Sequence, residues 1–205
     1  FPYTTLFRSR HIIDTPDLWK KIELFPKSNA RYTRTHTDVA YITYTSGTTG
    51  KPKGVLTHHS GICNRILSTL KAYCMDAGNC LLQNAAIGFD ISFWEIFAPL
   101  LSGGSVLVVK ANGQKDPSYL IELISTHRVT HAHFVPSLLE VILDVGSDAT
   151  LHSLQCVLTG GEAVRPVVRK KFHERLFAKL FIAYGPTEAS ISVTHYEDHS
   201  DAPYA

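Results

Sequence analysis

Residues 129–145 read VTHAHFVPSLLEVILDV. The first six form a short run that fits a strand. Residues 136–145 then carry apolar side chains at helical spacing behind an opening proline, a residue suited to a helix's first turn. A strand passed directly into a helix is half of a βαβ unit. The same rhythm recurs on both sides. Upstream, strands are expected at 39–44, 54–57, 80–83 and 105–109, with helices at 60–73, 92–101 and 117–127. Downstream, strands are expected at 154–158 and 180–183, with a helix at 165–176. Pro99 interrupts the 92–101 helix, and Gly103-Gly104 closes it. Alternation of this kind predicts an α/β fold of mostly parallel sheets sandwiched by helices. Ligands of such sheets bind beyond the carboxyl ends of strands. The loop after Tyr44 and the turn after Ala183 are both expected at such ends.

Composition narrows the class. The chain has 205 residues, 44% hydrophobic, enough for a sizeable core, and a net charge of +2 with its eleven histidines neutral. No basic run marks a nucleic-acid or membrane surface, and Arg169-Lys170-Lys171 fits the solvated face of a helix. Cys63, Cys74, Cys80 and Cys156 form no CxxC pair, and no apolar run reaches membrane-spanning length. A reduced, cytoplasmic protein is expected, with no nucleic-acid or membrane partner. His58, His59, His131 and His133 lack a cysteine or carboxylate at zinc-ligand spacing. Residues 1–9, FPYTTLFRS, resemble the translation of a sequencing adapter. They are set aside as an expected artefact, which leaves residues 10–205 as the native part.

Residues 45–54, TSGTTGKPKG, are composed to hold phosphate. Glycines let backbone N–H groups approach an anion, Ser46, Thr48 and Thr49 offer hydroxyls, and Lys51 and Lys53 add charge. The stretch is not a P-loop. Only two residues separate Gly47 from Gly50, and Pro52 stands where a serine or threonine would bind magnesium. A dinucleotide GxGxxG is absent as well.

Residues 44–54 closely resemble the signature of AMP-forming adenylating enzymes, the superfamily of acyl-CoA synthetases, luciferases and nonribosomal peptide synthetase adenylation domains. Four further stretches agree in order: 88–97 (GFDISFWEIF), 133–137 (HFVPS), 158–162 (LTGGE) and 184–188 (YGPTE). The resemblance covers residues 38–197 and is most like an amino-acid adenylation domain. It implies a partial N-terminal core of the adenylate-forming fold, with an upstream part and a C-terminal subdomain bearing an essential lysine needed for activity. The fragment alone is therefore expected to be inactive.

The implied reaction activates an amino acid as aminoacyl-AMP, using ATP and Mg2+ and releasing pyrophosphate. The aminoacyl group then passes to phosphopantetheine on a peptidyl carrier domain beside a condensation domain. Thr187 would contact the α-phosphate, Glu188 would hold magnesium, and Lys51 would steady the leaving pyrophosphate. Nucleotide contacts are implied for Thr45, Ser46, Gly47, Thr48, Thr49, Gly50, Lys51, Gly160, Gly161, Glu162, Ala183, Tyr184, Gly185 and Thr187. The substrate pocket would be lined by Asp90, Ile91, Trp94, His133, Leu158, Gly160, Ala183, Ile191 and Ser192. His133 and Ser192 imply a side chain bearing a hydroxyl. Asp90 would pair with the substrate ammonium, although by sequence alone it also suits a helix N-cap. Acyl- and aryl-CoA ligases, which have no ammonium to satisfy, usually lack this aspartate, and a non-catalytic nucleotide-binding remnant is a third reading. One departure stands out: family members commonly carry asparagine two residues before Tyr184, and here that residue is Ile182.

Overall fold

In the computed structural model, residues 16–28, 33–46 and 50–199 are described. Residues 1–9 and three members of the glycine loop, Gly47, Thr48 and Thr49, lie outside them. The chain divides into two units, residues 1–34 and 35–205. The first contains helix α1 (Pro16–Ile22), which the sequence reading did not anticipate.

The second unit opens with β1 (Val39–Thr45) and β2 (Lys53–His58), an antiparallel pair in which Tyr44 faces Gly54 and Thr45 faces Lys53. This corrects one expectation. The glycine loop joins the two strands of a hairpin, a small sheet of its own, and does not lie at the end of a strand in a parallel sheet. The hairpin is too small to hold itself. Helix α2 (His59–Ala72) turns Ile62 and Ile66 into the core beside it, and Tyr41 of β1 stacks on Phe93 at 3.9 Å between ring centroids.

The main sheet is built from β3 (Cys80–Gln83), β4 (Ser105–Val108), β5 (His131–Phe134), β6 (Cys156–Gly160), β7 (Lys179–Tyr184) and β8 (Thr194–Asp198). Its spatial order is β4-β3-β5-β6-β7-β8, parallel except for β8. Neighbouring side chains on a strand point to opposite faces, and the core divides accordingly. Leu82, Val157 and Leu180 enter one apolar cluster, while Leu81, Leu158 and Phe181 enter the other. Helices α4 (Pro117–His127), α5 (Pro136–Val145) and α7 (Pro166–Arg175) supply the first cluster. Helices α2 and α3 (Ile91–Ser102) supply the second. A short helix α6 (Asp148–Leu151) follows α5.

That division follows from connection handedness. The chain leaves β3 for β4 in one direction, then returns past β3 to β5 and continues the other way. Right-handed crossovers in opposite directions put α3 on one face and α4, α5 and α7 on the other. The order reverses between β3 and β5, so a crevice opens at their carboxyl ends. Gly103 caps α3 with φ of 82°, a left-handed conformation that suits glycine. Strand β8 escaped the sequence reading for a physical reason. Its sequence, THYED, ends on Asp198, a buried carboxylate that accepts from Arg169 Nε at 3.0 Å and pairs with His173 at 3.0 Å, both on α7. No local pattern announces so distant a pairing.

Candidate active site

A cavity of about 630 Å³ occupies that crevice, bounded by residues beyond the carboxyl ends of β3, β5, β6 and β7. The chain's own local chemistry builds it. Past β3 the backbone leaves the sheet, and Glu95 of α3, fully buried, holds it there. Glu95 Oε2 accepts from the backbone N–H of Asn84 at 3.1 Å and of Ala85 at 2.9 Å, and from Gln83 Nε2 at 3.3 Å. Asn84 Nδ2 in turn donates to the carbonyl of His133 at 2.7 Å, tying β3 to β5. On the far side two glycines allow close approach. A Cβ on Gly160 would lie 2.5 Å from the Ala183 carbonyl, and one on Gly185 would lie 2.2 Å from Ser192 Cα. Glu162 closes the turn, accepting from the backbone N–H and the hydroxyl of Ser137 at 3.3 Å each, at the start of α5.

Asp90 sits at the N-cap position of α3 with φ −61° and ψ −30°, yet its side chain makes no capping bond. Asp90 lines the cavity, with Thr187 of the YGPTE turn beside it. Burial holds the Asp90 pKa above the usual carboxylate range, with the Thr187 hydroxyl, nearby backbone N–H groups and the neighbouring His133 imidazole pulling the other way. The N-cap alternative is therefore not what occupies this side chain.

Of the residues expected around the substrate, Asp90, Ile91, His133, Leu158, Gly160, Ala183, Ile191 and Ser192 all line this one cavity. Trp94 does not. Its ring is buried beneath, meets Tyr73 edge-on at 5.7 Å, and its Nε1 donates to Thr69 at 2.9 Å. Of the expected nucleotide contacts, Gly160, Gly161, Glu162, Ala183 and Gly185 line the cavity, and Thr187 lies beside Asp90 without lining it. Tyr184 ends β7 with its side chain exposed, and Glu188 is exposed on the 3-10 turn Thr187–Ala189. Among the described residues of the glycine loop, Thr45 is half-buried, Ser46, Gly50 and Lys51 are exposed, and none lines the cavity. Ile182 packs against the first core cluster, so its side chain offers a base nothing polar.

Three polar residues at the site were not singled out from sequence. Glu95 sat unremarked inside the GFDISFWEIF stretch. Arg65 lines the cavity from α2, where helical spacing marks it only as a residue on a mostly apolar face. It is buried, its Nε has no partner among the described residues, and its Nη2 reaches only the Tyr73 hydroxyl at 3.5 Å. Asn84 had no signal at all.

The larger depression in the molecule, about 910 Å³, lies at the opposite end of the strands, against His131, Cys156 and Lys179. Its polar groups are already engaged. His131 bonds Thr130 and the Tyr73 carbonyl at 2.9 Å each, Lys179 bonds Glu197 at 3.2 Å, and burial pushes the Cys156 thiol up to about 12. All four cysteines are free. Among the described residues no three histidine, cysteine or acidic groups converge on a metal position, and no helix is long and apolar enough to cross a membrane. Magnesium keeps most of its water and takes one or two carboxylates alongside substrate phosphates. The exposed carboxylate of Glu188, one residue past Thr187, fits that demand.

Comparison with known proteins bears on the same residues. The profile of the family described as AMP-binding enzyme matches residues 8–205. Phosphinothricin tripeptide synthetase PhsB of Streptomyces viridochromogenes is 43% identical over 166 residues, covering 80% of this chain and 14% of that protein. The N-terminal subdomain of Klebsiella oxytoca NpsA, solved in complex with anthranilyl-AMSN, superposes with a TM-score of 0.80 at 32% identity, covering 91% of this chain and 48% of that one. The Vibrio cholerae adenylation domain AlmE, solved with glycyl-adenosine-5'-phosphate, gives a TM-score of 0.77 at 28% identity over 85% of this chain and 33% of its own. The chain thus spans less than half the length of each.

Proposed function

Since the chain belongs to the AMP-binding enzyme family of adenylate-forming ligases, we propose that it is the substrate-binding part of a peptide synthetase's amino-acid adenylation domain. The parent would join an amino-acid carboxylate to the α-phosphorus of ATP and release pyrophosphate. The single observation that carries this reading is that Asp90 and Gly185 of the YGPTE turn line one and the same cavity. It couples a half-buried carboxylate, apt for an α-ammonium, to the YGPTE turn, apt for an α-phosphate, across one cavity.

Each residue has a part. Asp90 binds the substrate ammonium, and a charge-assisted bond in so enclosed a site both holds and aligns it. Thr187 then stands beside the carboxylate that must attack. Gly160 and Gly161 leave room for a flat base, which backbone groups recognise because Ile182 faces the core. Two anions must approach, so charge has to be neutralised. Lys51, with the Ser46, Thr48 and Thr49 hydroxyls, meets the departing pyrophosphate. Magnesium on Glu188 supplies further neutralisation of phosphate charge. The next acceptor is a phosphopantetheine thiol on a carrier domain, with a condensation domain as neighbour; a solved fusion described as an adenylation–PCP di-domain of Klebsiella oxytoca NpsA and ThdA supports the carrier partner.

The test is ATP–pyrophosphate exchange by the parent protein across a panel of acids. Exchange dependent on an amino acid is expected. Exchange supported only by fatty or aryl acids would overturn the assignment in favour of a CoA ligase, and ATP binding without any exchange would mark a non-catalytic remnant.

A further inference from the structure

Gly61 is the third residue of α2, a position where alanine would be the better helix former. What glycine provides there is room. A Cβ on Gly61 would lie 2.4 Å from Ser190 Oγ and 3.3 Å from Ser190 Cβ. Ser190 directly follows the 3-10 turn Thr187–Ala189 and is left-handed, with φ 57° and ψ 60°. Ile191 is left-handed as well, with φ of 83°. Two such residues in succession, neither of them glycine and one β-branched, persist only where their surroundings hold them. The Ser190 N–H donates to the Thr187 carbonyl at 3.2 Å, and the Val193 N–H to the Tyr184 carbonyl at 2.8 Å. Ile191 is buried in the cluster that contains Tyr41 of β1 and Ile62 and Ile66 of α2. The Ser190 side chain completes the clamp by resting against Gly61.

This contact links two parts of the molecule that the sequence keeps far apart. Gly61 lies three residues beyond β2, the strand that leads away from the glycine loop. The start of α2 is itself tied to the chain ahead of β1, because His59 N–H donates to the Asp38 carbonyl at 3.0 Å and Ser60 N–H to the His36 carbonyl at 2.9 Å. The turn Thr187–Ala189 also packs on β2. We propose that Gly61 and Ser190 form a seat that sets the YGPTE turn in register with the glycine hairpin, Gly61 being a positioning residue for the phosphate chemistry. This rests on the adenylation reading above. In-line displacement needs the α-phosphorus and the departing pyrophosphate held along one axis, so a small misplacement of either holder is costly. A side chain at position 61 would push Ser190 outward, and the bond from Ser190 N–H to the Thr187 carbonyl would carry Thr187 with it.

The experiment measures ATP–pyrophosphate exchange by the parent protein with Gly61→Ala or Gly61→Val, each alone and with Ser190→Gly. The second change removes the atoms that a new Cβ would meet and suits a φ of 57°. Gly61→Val should lower kcat about tenfold or more and Gly61→Ala by less, and Ser190→Gly should return most of the loss in each. A cycle with Lys51→Ala separates alignment from packing. If the seat aligns the two phosphate holders, Gly61→Val will cost only about threefold or less once Lys51 is gone. Should Gly61→Val fail to fold, Gly61→Ala takes its place in the cycle. Losses that simply multiply mark a structural contact and overturn the proposal. So does full kcat in Gly61→Val, or a loss that Ser190→Gly fails to restore. These outcomes are read against an active wild type and leave the adenylation reading standing. A wild type that exchanges with no acid at all sinks that reading, and the seat with it.

Discussion

The two ends of the main sheet differ in how completely their polar groups are satisfied. At the amino end the hollow is larger, yet His131 spends both ring nitrogens on the protein and Lys179 is held by Glu197. At the carboxyl end Arg65 Nε, Ser192 Oγ and Glu95 Oε1 are all buried without a hydrogen-bond partner among the described residues. Buried polar groups are nearly always paired; Tyr41 Oη and Thr159 Oγ1 are also unpaired among the described residues, away from both hollows, but the two such atoms whose residues line the cavity, in Arg65 and Ser192, mark where a ligand completes the bonding. Size does not identify the site here; outstanding hydrogen bonds do. The contrast can be broken at several points.

The hardest blow falls at Asp90. Asp90→Asn keeps the shape and removes the charge that meets the ammonium, and losing one partner of an enclosed ion pair costs about 3–5 kcal/mol. Amino-acid-dependent exchange should fall about 100-fold or more in kcat/KM. The same carboxyl gives a pH signature. Its folded pKa lies above the unfolded one because burial disfavours its charge, so its contribution to stability is present at low pH and is lost as pH rises from the unfolded value through the raised folded one. Asp90→Asn should therefore melt no lower than wild type at neutral pH, while wild-type KM for the amino acid should climb on acidification from above the ordinary aspartate range. A large drop in Tm for Asp90→Asn would mean that the carboxylate is structural.

Lys51, itself exposed, tests whether the glycine loop belongs to the site at all. In the parent protein Lys51→Ala should lower kcat for exchange about 10- to 100-fold through lost stabilisation of the leaving group, with KM for the amino acid within about twofold of wild type. Unchanged kcat would detach the loop from the carboxyl-end chemistry. A smaller effect is expected at Trp94, which separates cavity from core. Trp94→Phe removes the Nε1 bond to Thr69 and some buried ring, and should cost about 1–3 kcal/mol in denaturant unfolding without reordering the amino acids activated. A changed amino-acid ranking would return Trp94 to the pocket.

These tests track what could be read in advance. The alternation of strand and helix was legible because parallel strands buried on both faces are short apolar runs, and because Pro117, Pro136 and Gly103 mark helix ends. The site's shell was legible as far as contiguous motifs carried it, which is why eight of the nine expected pocket residues meet in one cavity. Legibility failed where meaning depends on a distant partner. Asp198 looks like a solvated acid until Arg169 and His173 close on it, Trp94 looks like a pocket wall until Thr69 takes its N–H, and Glu95 acquires a role only from the Asn84 and Ala85 N–H groups that it holds. The hairpin was misplaced for a related reason. A strand followed by a glycine loop reads alike whether the next strand runs antiparallel beside it or crosses over to a parallel position.

The amino end should be the quiet one. Lys179 sits at the first position of β7 with its ammonium on Glu197 of β8, and that pair raises the lysine pKa above its usual value. Both partners are solvent-accessible, and exposed pairs contribute little because water and salt screen them. Lys179→Ala should shift Tm by about 2 °C or less and leave amino-acid-dependent exchange intact. Here the sign of the comparison is at stake. If removing Lys179 from the larger hollow cut exchange by even tenfold, the satisfied end of the sheet would hold the chemistry. Unpaired buried atoms would then have pointed to the wrong end.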